Sequence, residues 1–258
     1  MNLMPVCEDC TVLSTRKLSD THFDFWLHAP QIARLARPGQ FLHIRCGHSR
    51  LLRRPISICD IAGDAIRVVF EVRGEGTALL SHRTEGDSVD VLGPLGDGVF
   101  PDIFDTRPVL FVGGGIGAPP LLFAAKRCNV AHAVLGFKNS AAVILKDEFY
   151  DACETLLIAT DDGSVGAHGT IEKPMGILLD KNDYCAVMAC GPRPMLRAAA
   201  RLAEEHSVPC WVSMEERMGC GVGACLVCAC KTHGASGEDE FSHVCKDGPV
   251  YPAASVIW

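Results

Sequence analysis

The sequence has no long apolar run, no excess of basic residues and no apolar leader at its start. A membrane-spanning helix needs about 18 or more consecutive apolar residues, so we expect no membrane span. With a net charge of −7 the chain lacks the basic surface typical of nucleic-acid binders. The first ten residues, MNLMPVCEDC, contain acids and no signal-peptide core, so we expect a cytoplasmic protein.

The sequence also shows no residue pattern that is typical of hydrolytic catalysis. No Ser-His-Asp arrangement or paired carboxylates stand out, and the histidines have no ligand spacing; we interpret His43 and His82 as packed or surface residues. Cysteine, by contrast, is abundant: 14 of 258 residues, five of them between Cys220 and Cys245. In a reducing compartment clustered cysteines more often hold metal, whereas scattered ones act as small buried hydrophobes.

Residues 1–102 contain short alternating runs that are separated by turn signals such as Pro38-Gly39 and Gly93-Pro94. Short strands with regular turns predict a β-barrel or sandwich. The predicted strands are Asp24–Leu27, Gln40–Ile44, Ala65–Val72 and Ser88–Leu92.

Residues 103–212 alternate apolar runs with helical patterns, which predicts a parallel sheet. The predicted strands are Val109–Val112, Ala131–Phe137, Thr155–Ala159 and Cys185–Ala189. The predicted helices are Pro119–Cys128, one near Lys146–Cys153, and one that follows Pro194 and ends near His206.

Residues 213–258 are rich in glycine and cysteine and cannot bury much apolar surface alone, so a metal group is expected to stabilise them. The spacing C-x4-C-x2-C, with a fourth cysteine after sixteen further residues, is the plant-type 2Fe–2S pattern. The predicted ligands are Cys220, Cys225, Cys228 and Cys245. A structural zinc site is the alternative, although zinc sites typically use two C-x2-C pairs. Cys230 is interpreted as a packed cysteine rather than a ligand.

Arg53-Arg54-Pro55-Ile56-Ser57-Ile58 follows a predicted strand of the first zone. Arginine offers a fixed fork of donors that suits a pyrophosphate, and a serine close behind it can hydrogen-bond a flavin. The alternative is a surface strand with a solvated arginine. Gly76-Thr77 precedes apolar residues and is a candidate helix start, whose free N–H groups would hold a phosphate.

A glycine-rich turn follows the strand Val109–Val112 and leads into a helix, as a dinucleotide-binding G-x-G-x-x-A motif requires. Its candidate residues are Gly113, Gly114, Gly115 and Gly117. An acidic residue is expected about 20 residues later, but that region reads Gly136-Phe137-Lys138-Asn139-Ser140. The choice between NAD and NADP therefore stays open. The segments Thr160–Ser164 and Cys190-Gly191-Pro192 also follow strands; for Asp161 and Asp162 a tight turn is an equal alternative.

The order of these elements resembles the ferredoxin–NADP reductase superfamily with a C-terminal 2Fe–2S extension. Four motifs carry that resemblance: Pro38-Gly39-Gln40-Phe41, Arg54-Pro55-Ile56-Ser57, the GGGIGAPP turn and Cys190-Gly191-Pro192. The run from Ser213 to Cys225 looks closely like one family within it, the electron-transfer subunits of NAD-dependent (class 1B) dihydroorotate dehydrogenase. The resemblance covers nearly the whole chain.

The resemblance implies a multi-domain fold: an antiparallel β-barrel FAD domain (1–102), an α/β parallel-sheet NAD domain (103–212) and a small C-terminal 2Fe–2S domain (213–258). It implies FAD, NAD(H) and a 2Fe–2S cluster as cofactors. It also implies a separate FMN-containing subunit that oxidises dihydroorotate to orotate in UMP biosynthesis, in a heterotetramer of two of each chain. Electrons would pass from FMN through the cluster and FAD to NAD.

Carried over by motif, the FAD-binding residues would be Arg54, Pro55, Ile56, Ser57, Glu71, Val72, Arg73, Gly76 and Thr77. The NAD(H) candidates are Gly113, Gly114, Gly115, Gly117, Cys190, Gly191 and Pro192. A first alternative keeps the cofactors but changes the partner, as in a subunit of a sulfide dehydrogenase, hydrogenase or NADH-dependent ferredoxin–NADP oxidoreductase. A second is a zinc-stapled binding protein without redox activity. Cys7 and Cys10 belong to no pattern that can be carried over.

Overall fold

A computed structural model describes residues 4–47, 52–103, 105–234 and 236–258. By their contacts these residues form two compact units. The barrel unit comprises the described residues of Met1–Val99 with Glu216–Cys230 and Ser242–Pro249. The α/β unit comprises those of Phe100–Glu215 with Lys231–Phe241 and Val250–Trp258. None of the helices in the described residues combines the length and apolarity that crossing a bilayer requires.

Six antiparallel strands close the barrel in the order β1-β2-β5-β4-β3-β6. They are β1 (Val6–Lys17), β2 (His22–His28), β3 (Phe41–Ile44), β4 (Arg54–Ala62), β5 (Ala65–Glu71) and β6 (Ser88–Leu95). Two short helices lie between strands: α1 (Pro30–Leu35) and α2 (Glu75–Ser81). The barrel alternative is therefore confirmed over the sandwich.

Apolar side chains of alternate strand positions fill the barrel. Phe25 and Leu27 of β2 are fully buried, and Phe25 packs edge-on against Phe70 of β5 with ring centroids 5.2 Å apart. One charged pair is also buried: Arg67 of β5 forms two hydrogen bonds of 2.8 Å with the carboxylate of Asp24 on β2. Because β2 and β5 are neighbouring strands, this pair joins them across the sheet.

A seven-stranded sheet forms the α/β unit in the order β10-β9-β8-β7-β11-β12-β15. Its strands are β7 (Val109–Gly114), β8 (Ala131–Phe137), β9 (Thr155–Thr160), β10 (Ala167–His168), β11 (Ala186–Cys190), β12 (Cys210–Ser213) and β15 (Val250–Pro252). Its helices are α3 (Ala118–Ala125), α4 (Lys146–Ala152), α5 (Glu172–Lys181) and α6 (Arg193–Glu205). All strand pairs are parallel except β12 with β15.

The central strand β7 is buried along its full length, as its continuous apolar run predicts. All eight residues of α3 are also buried, and α6 buries only Leu196, Ala199 and Ala203, which recur at helical spacing on one face. The predicted alternation of strands and helices in residues 103–212 is confirmed.

The C-terminal segment contributes two further strands, β13 (Ala229–His233) and β14 (Asp239–His243), which pair with each other. Backbone hydrogen bonds attach residues 242–249 to the end of β6: the Asp97 N–H donates to the Lys246 carbonyl (2.8 Å) and the Gly98 N–H to the Gly248 carbonyl (2.9 Å). The domain limits at 102/103 and 212/213 stay predictions.

Candidate functional site: a four-cysteine loop and two glycine-rich turns

The loop between Cys220 and Cys228 curls so that its backbone N–H groups point at cysteine sulfurs. Gly221 and Gly223 adopt φ values of +76° and +79°, a region that side chains with a Cβ rarely enter. As a result Val222 and Ala224 donate their N–H groups to Cys220 Sγ at 3.4 and 3.2 Å. Such bonds are the ones that stabilise negative charge on cluster sulfurs.

The four predicted ligand sulfurs come together as two pairs. The Cys220 N–H donates to Cys225 Sγ, and the Cys245 N–H donates to Cys228 Sγ, each at 3.4 Å. The Gly223 N–H donates to Cys245 Sγ at 3.1 Å, which sets the pairs side by side. Cys228 and Cys245 are buried, whereas Cys225 is exposed. Each of the four sulfurs thus accepts a backbone N–H.

Two pairs suit a 2Fe–2S cluster, in which each iron takes two protein ligands. A structural zinc ion would need four ligands around one point. The donor set, four sulfurs in pairs with amide donors around them, fits the two-iron group.

The thiols of the loop differ in their affinity for protons. Burial opposes ionisation of Cys220, but backbone N–H groups, those of Val222 and Cys225 foremost, lower its pKa to about 6. Burial and the neighbouring Cys228 thiol raise the pKa of Cys245 to about 12. Metal binding overrides both values because a coordinated thiol is deprotonated.

The outer surface of this loop is apolar. Val222, Leu226 and Val227 expose 46, 62 and 55% of their surface. Leu226 also adopts φ +61°, an uncommon conformation for a residue with a Cβ, which turns the chain between Cys225 and Cys228. Cysteine spacing does not predict this surface, because spacing carries no information about which side chains point outward.

Two of the candidate flavin-binding motifs meet in the barrel unit. The Arg54 side chain lies over the first turn of α2, so closely that a Cβ on Gly76 would approach its Nε to 2.6 Å. The Thr77 hydroxyl accepts the Arg73 N–H at 3.0 Å and holds the turn that starts α2. The predicted helix start at Gly76-Thr77 is confirmed within one residue, with Gly74 at its cap.

The two adjacent arginines of this region have different surroundings. Arg53 donates to both carboxylate oxygens of Asp90 at 2.8 Å, which ties it to β6. Within the described part of the chain, the Arg54 side chain donates to the backbone carbonyls of Leu52 and Arg53. Of the remaining candidates, Pro55, Ile56 and Ser57 lie on β4, and Glu71, Val72 and Arg73 at and after the end of β5. Arg54 is thus the better placed of the two for an added phosphate.

In the α/β unit the glycine-rich turn and the segment Cys190-Gly191-Pro192 pack against each other. They lie at the carboxyl ends of the neighbouring strands β7 and β11, with Cys190 opposite Gly113 in register. A Cβ on Gly117 would collide with the Cys190 carbonyl, so only glycine fits there. The carboxyl ends of these parallel strands therefore meet in one place, where open α/β sheets bind ligands.

The remaining sequence candidates have simpler surroundings. The Asp162 carboxylate accepts from the Ser164 hydroxyl (2.6 Å) and N–H (3.0 Å), as in a tight turn. Cys7 is exposed, and Cys10 and Cys230 are buried. His82 is exposed, while His43 is buried within β3.

Comparison with known proteins adds three findings. Residues 215–257 match the family described as "Iron-sulfur cluster binding domain of dihydroorotate dehydrogenase B". The chain is 41% identical over 263 residues to the dihydroorotate dehydrogenase B (NAD(+)) electron transfer subunit of Bacillus caldolyticus, with 97% of this chain and 98% of that protein covered. It is also similar to a solved structure of an NADH-dependent reduced ferredoxin–NADP oxidoreductase, at 32% identity and TM-score 0.84, over 100% of this chain and 92% of the other.

A ferredoxin NADP⁺ reductase from Neisseria gonorrhoeae, solved with bound FAD and NADP, shares the fold at 15% identity and TM-score 0.65, over 78% of this chain and 91% of that one. The barrel, the parallel sheet and the iron–sulfur segment predicted from the sequence are therefore confirmed, and an iron–sulfur group rather than zinc is supported for residues 215–257. The chain belongs to the family of electron transfer subunits of NAD(+)-dependent dihydroorotate dehydrogenase B.

Proposed function

We propose that this chain carries electrons from a dihydroorotate-oxidising partner subunit to NAD⁺, through a 2Fe–2S cluster and FAD. The observation that carries the proposal is the set of four cysteine sulfurs in two pairs, each sulfur facing a backbone N–H. The relatives that are similar over nearly the full length carry the same function in their names.

Within this proposal the cluster ligands are Cys220, Cys225, Cys228 and Cys245. The FAD pyrophosphate lies at the start of α2, where Arg54 and the N–H groups beside Gly76 and Thr77 offer positive charge. Pro55, Ile56 and Ser57 of β4, with Glu71, Val72 and Arg73 after β5, line the rest of the flavin site. NAD(H) occupies the glycine turn at Gly113, Gly114, Gly115 and Gly117 and the segment Cys190-Gly191-Pro192.

When bound, the flavin exchanges two electrons as hydride with a nicotinamide and single electrons with an iron–sulfur cluster, so it belongs between them. The residues of this chain then have no acid–base step to perform. The loop amides hold negative charge on the sulfurs, Arg54 orients a pyrophosphate, and the packed glycine turns admit a dinucleotide backbone. These residues therefore contribute by positioning the cofactors and by stabilising their charges.

The partner that we propose is an FMN-containing catalytic subunit, in a heterotetramer with two copies of each chain. Three exposed apolar side chains of the cysteine loop support a docking surface there: Val222, Leu226 and Val227. Exposed apolar side chains that cluster in one segment are typical of surfaces that bind a partner protein. Electron transfer also needs a short path, which favours docking close to the exposed Cys225.

Replacing Leu226 with aspartate is expected to weaken partner binding, because the buried apolar contact becomes a desolvated carboxylate. We expect the Kd for the partner subunit to rise at least about tenfold. Surface plasmon resonance with the purified partner measures this change. Ile177→Asp, at a 41% exposed aliphatic residue of α5, is the matched control and should leave the Kd unchanged. An unaltered Kd in Leu226→Asp would remove this face from the interface.

Replacing Arg54 with alanine is expected to weaken FAD binding about ten- to a hundredfold, because a charged hydrogen bond to the pyrophosphate is lost. Flavin content after gel filtration and fluorescence titration of apoprotein with FAD measure the change. Arg34→Ala, on the exposed side of α1, is the control and should bind FAD as the parent does. Equal FAD affinity in both variants would place the pyrophosphate elsewhere.

Co-expression with an FMN-containing dihydroorotate dehydrogenase catalytic chain, followed by assay of NAD⁺ reduction by dihydroorotate, tests the function as a whole. A second candidate changes only the partner: the 32% identical structure described as an NADH-dependent reduced ferredoxin–NADP oxidoreductase favours it. Reduced ferredoxin with NADP⁺ is therefore the second assay. Turnover with ferredoxin and none with dihydroorotate would select that candidate instead.

We propose the cytoplasm as its location. No disulfide joins any of the fourteen cysteines, and ten of them lie outside the proposed ligand set as free thiols. Among these ten, burial raises the pKa of Cys10 and Cys153 to about 12. Free thiols in this number suit a reducing compartment.

A further inference from the structure

His43 is a buried histidine whose ring nitrogens form no hydrogen bond within the described part of the chain. It lies in β3 with 1% of its surface exposed, and both Nδ1 and Nε2 are buried. Leaving a buried polar group unsatisfied costs about 1–3 kcal/mol. An aliphatic residue at this strand position would avoid that cost, so the ring needs a reason beyond packing.

The ring lies directly against the cysteine loop. Gly221, which adopts φ +76°, leaves just enough room for it: a Cβ there would approach His43 Nδ1 to 2.6 Å. Burial and the Arg53 charge lower the pKa of His43, and the nearby backbone of Arg53 and Cys220, although outside hydrogen-bond geometry, partly offsets that shift. The imidazole therefore lies between the backbone of a cluster ligand and the residue that precedes the candidate FAD motif.

The backbone of His43 is held firmly in this position. In the β3–β4 ladder His43 is opposite Pro55, and Ile44 is opposite Arg54. The Arg53 guanidinium donates to the His43 carbonyl at 3.3 Å and is itself fixed by Asp90. A ring on so rigid a support can fix the loop that it touches.

We propose that His43 is a positioning residue for the cluster, supporting the Cys220–Gly221 turn through the polar edge of its ring. The inference rests on the proposed ligand set. With this support the Val222 and Ala224 N–H groups stay aimed at Cys220 Sγ. Hydrogen bonds to cluster sulfurs favour the more negative, reduced state, so they raise the reduction potential.

Replacing His43 with leucine keeps much of the ring's volume and removes its polar edge. In the holoenzyme purified anaerobically with its partner, we expect a lower midpoint potential of the cluster and altered g values in the EPR spectrum of the reduced cluster. Iron and FAD contents should stay those of the parent. His43→Gln restores a polar group and should return both readouts towards the parent values. His28→Leu, an exposed histidine at the end of β2, is the control and should change neither.

A parent-like potential and EPR spectrum in His43→Leu would overturn the proposal. Should that variant not fold, Gly221→Ala tests the same contact from the loop side. Its effect on the EPR spectrum should shrink when His43→Ala opens the space beside it, because the collision is then relieved. Equal effects in both backgrounds would also overturn the proposal. A parent holoenzyme without any 2Fe–2S signal on reduction would instead overturn the ligand set itself.

Discussion

Replacing Cys225 with serine is expected to abolish the 2Fe–2S cluster and the dihydroorotate-linked reduction of NAD⁺, while leaving flavin chemistry intact. A serine hydroxyl is a hard, weakly acidic donor and a poor substitute for a thiolate on iron. Cys225 is exposed and its sulfur accepts the Cys220 N–H at 3.4 Å, so the change removes a ligand without opening a cavity in the core. Iron analysis should fall from about two per chain towards none.

The same variant should still oxidise NADH with an artificial two-electron acceptor, because that reaction needs only the FAD and NAD(H) sites. The matched control is Cys230→Ser, at a buried cysteine of β13 in the same segment. It should keep iron and partner-linked activity even if it loses some stability. Full iron content and an unaltered EPR spectrum in Cys225→Ser would exclude Cys225 as a ligand.

The α/β half of the fold could be predicted from the sequence because its strands are buried on both faces. Such strands read as continuous apolar runs, and β7, β8, β9 and β11 were all predicted within a few residues. The helix α5 was not predicted, since Pro174 and Gly176 interrupt its pattern. Pro174 falls in the first turn, where the missing N–H costs nothing, so the helix forms regardless.

The longest strand of the barrel was not predicted, because most of its residues are exposed rather than buried. β1 runs over twelve residues, but only Cys10 and Val12 are buried. A strand that is mostly exposed shows no alternation of apolar and polar residues, and its pairing with β2 and β6 arises from tertiary structure. Strands β12 to β15 were not predicted because they are only three to five residues long, too short to show a period.

Within the site, features formed by residues close in sequence were predicted, whereas contacts between distant segments were not. The ligand spacing from Cys220 to Cys228 is local, and it predicted the loop. The contact between Arg54 and Gly76 and that between His43 and Gly221 join segments that only the folded barrel brings together. For that reason His43 looked like an ordinary packed histidine, and the position of its ring became visible only in three dimensions.

Replacing Asp24 with alanine is expected to destabilise the barrel by about 3–5 kcal/mol, because it leaves the Arg67 guanidinium buried without this carboxylate. Asp24 and Arg67 expose only 4% and 5% of their side chains, and their bidentate geometry is shown by two 2.8 Å contacts. The free energy of unfolding of a small domain is only about 5–15 kcal/mol in total, so the variant would lose a large share of its stability. Urea unfolding followed by circular dichroism measures the change.

Two further variants separate the buried pair from surface charge. Arg16 also contacts Asp24 at 2.9 Å, but its side chain is 60% exposed, so Arg16→Ala should cost less than about 1 kcal/mol. The double variant Asp24→Leu/Arg67→Met replaces the pair by apolar groups and should recover much of the stability lost in Asp24→Ala. If Asp24→Ala and Arg16→Ala lowered the unfolding free energy equally, the buried pair would contribute no more than an exposed one. The link between β2 and β5 would then rest on backbone pairing and on aromatic contacts such as Phe25–Phe70 and Phe23–Phe70.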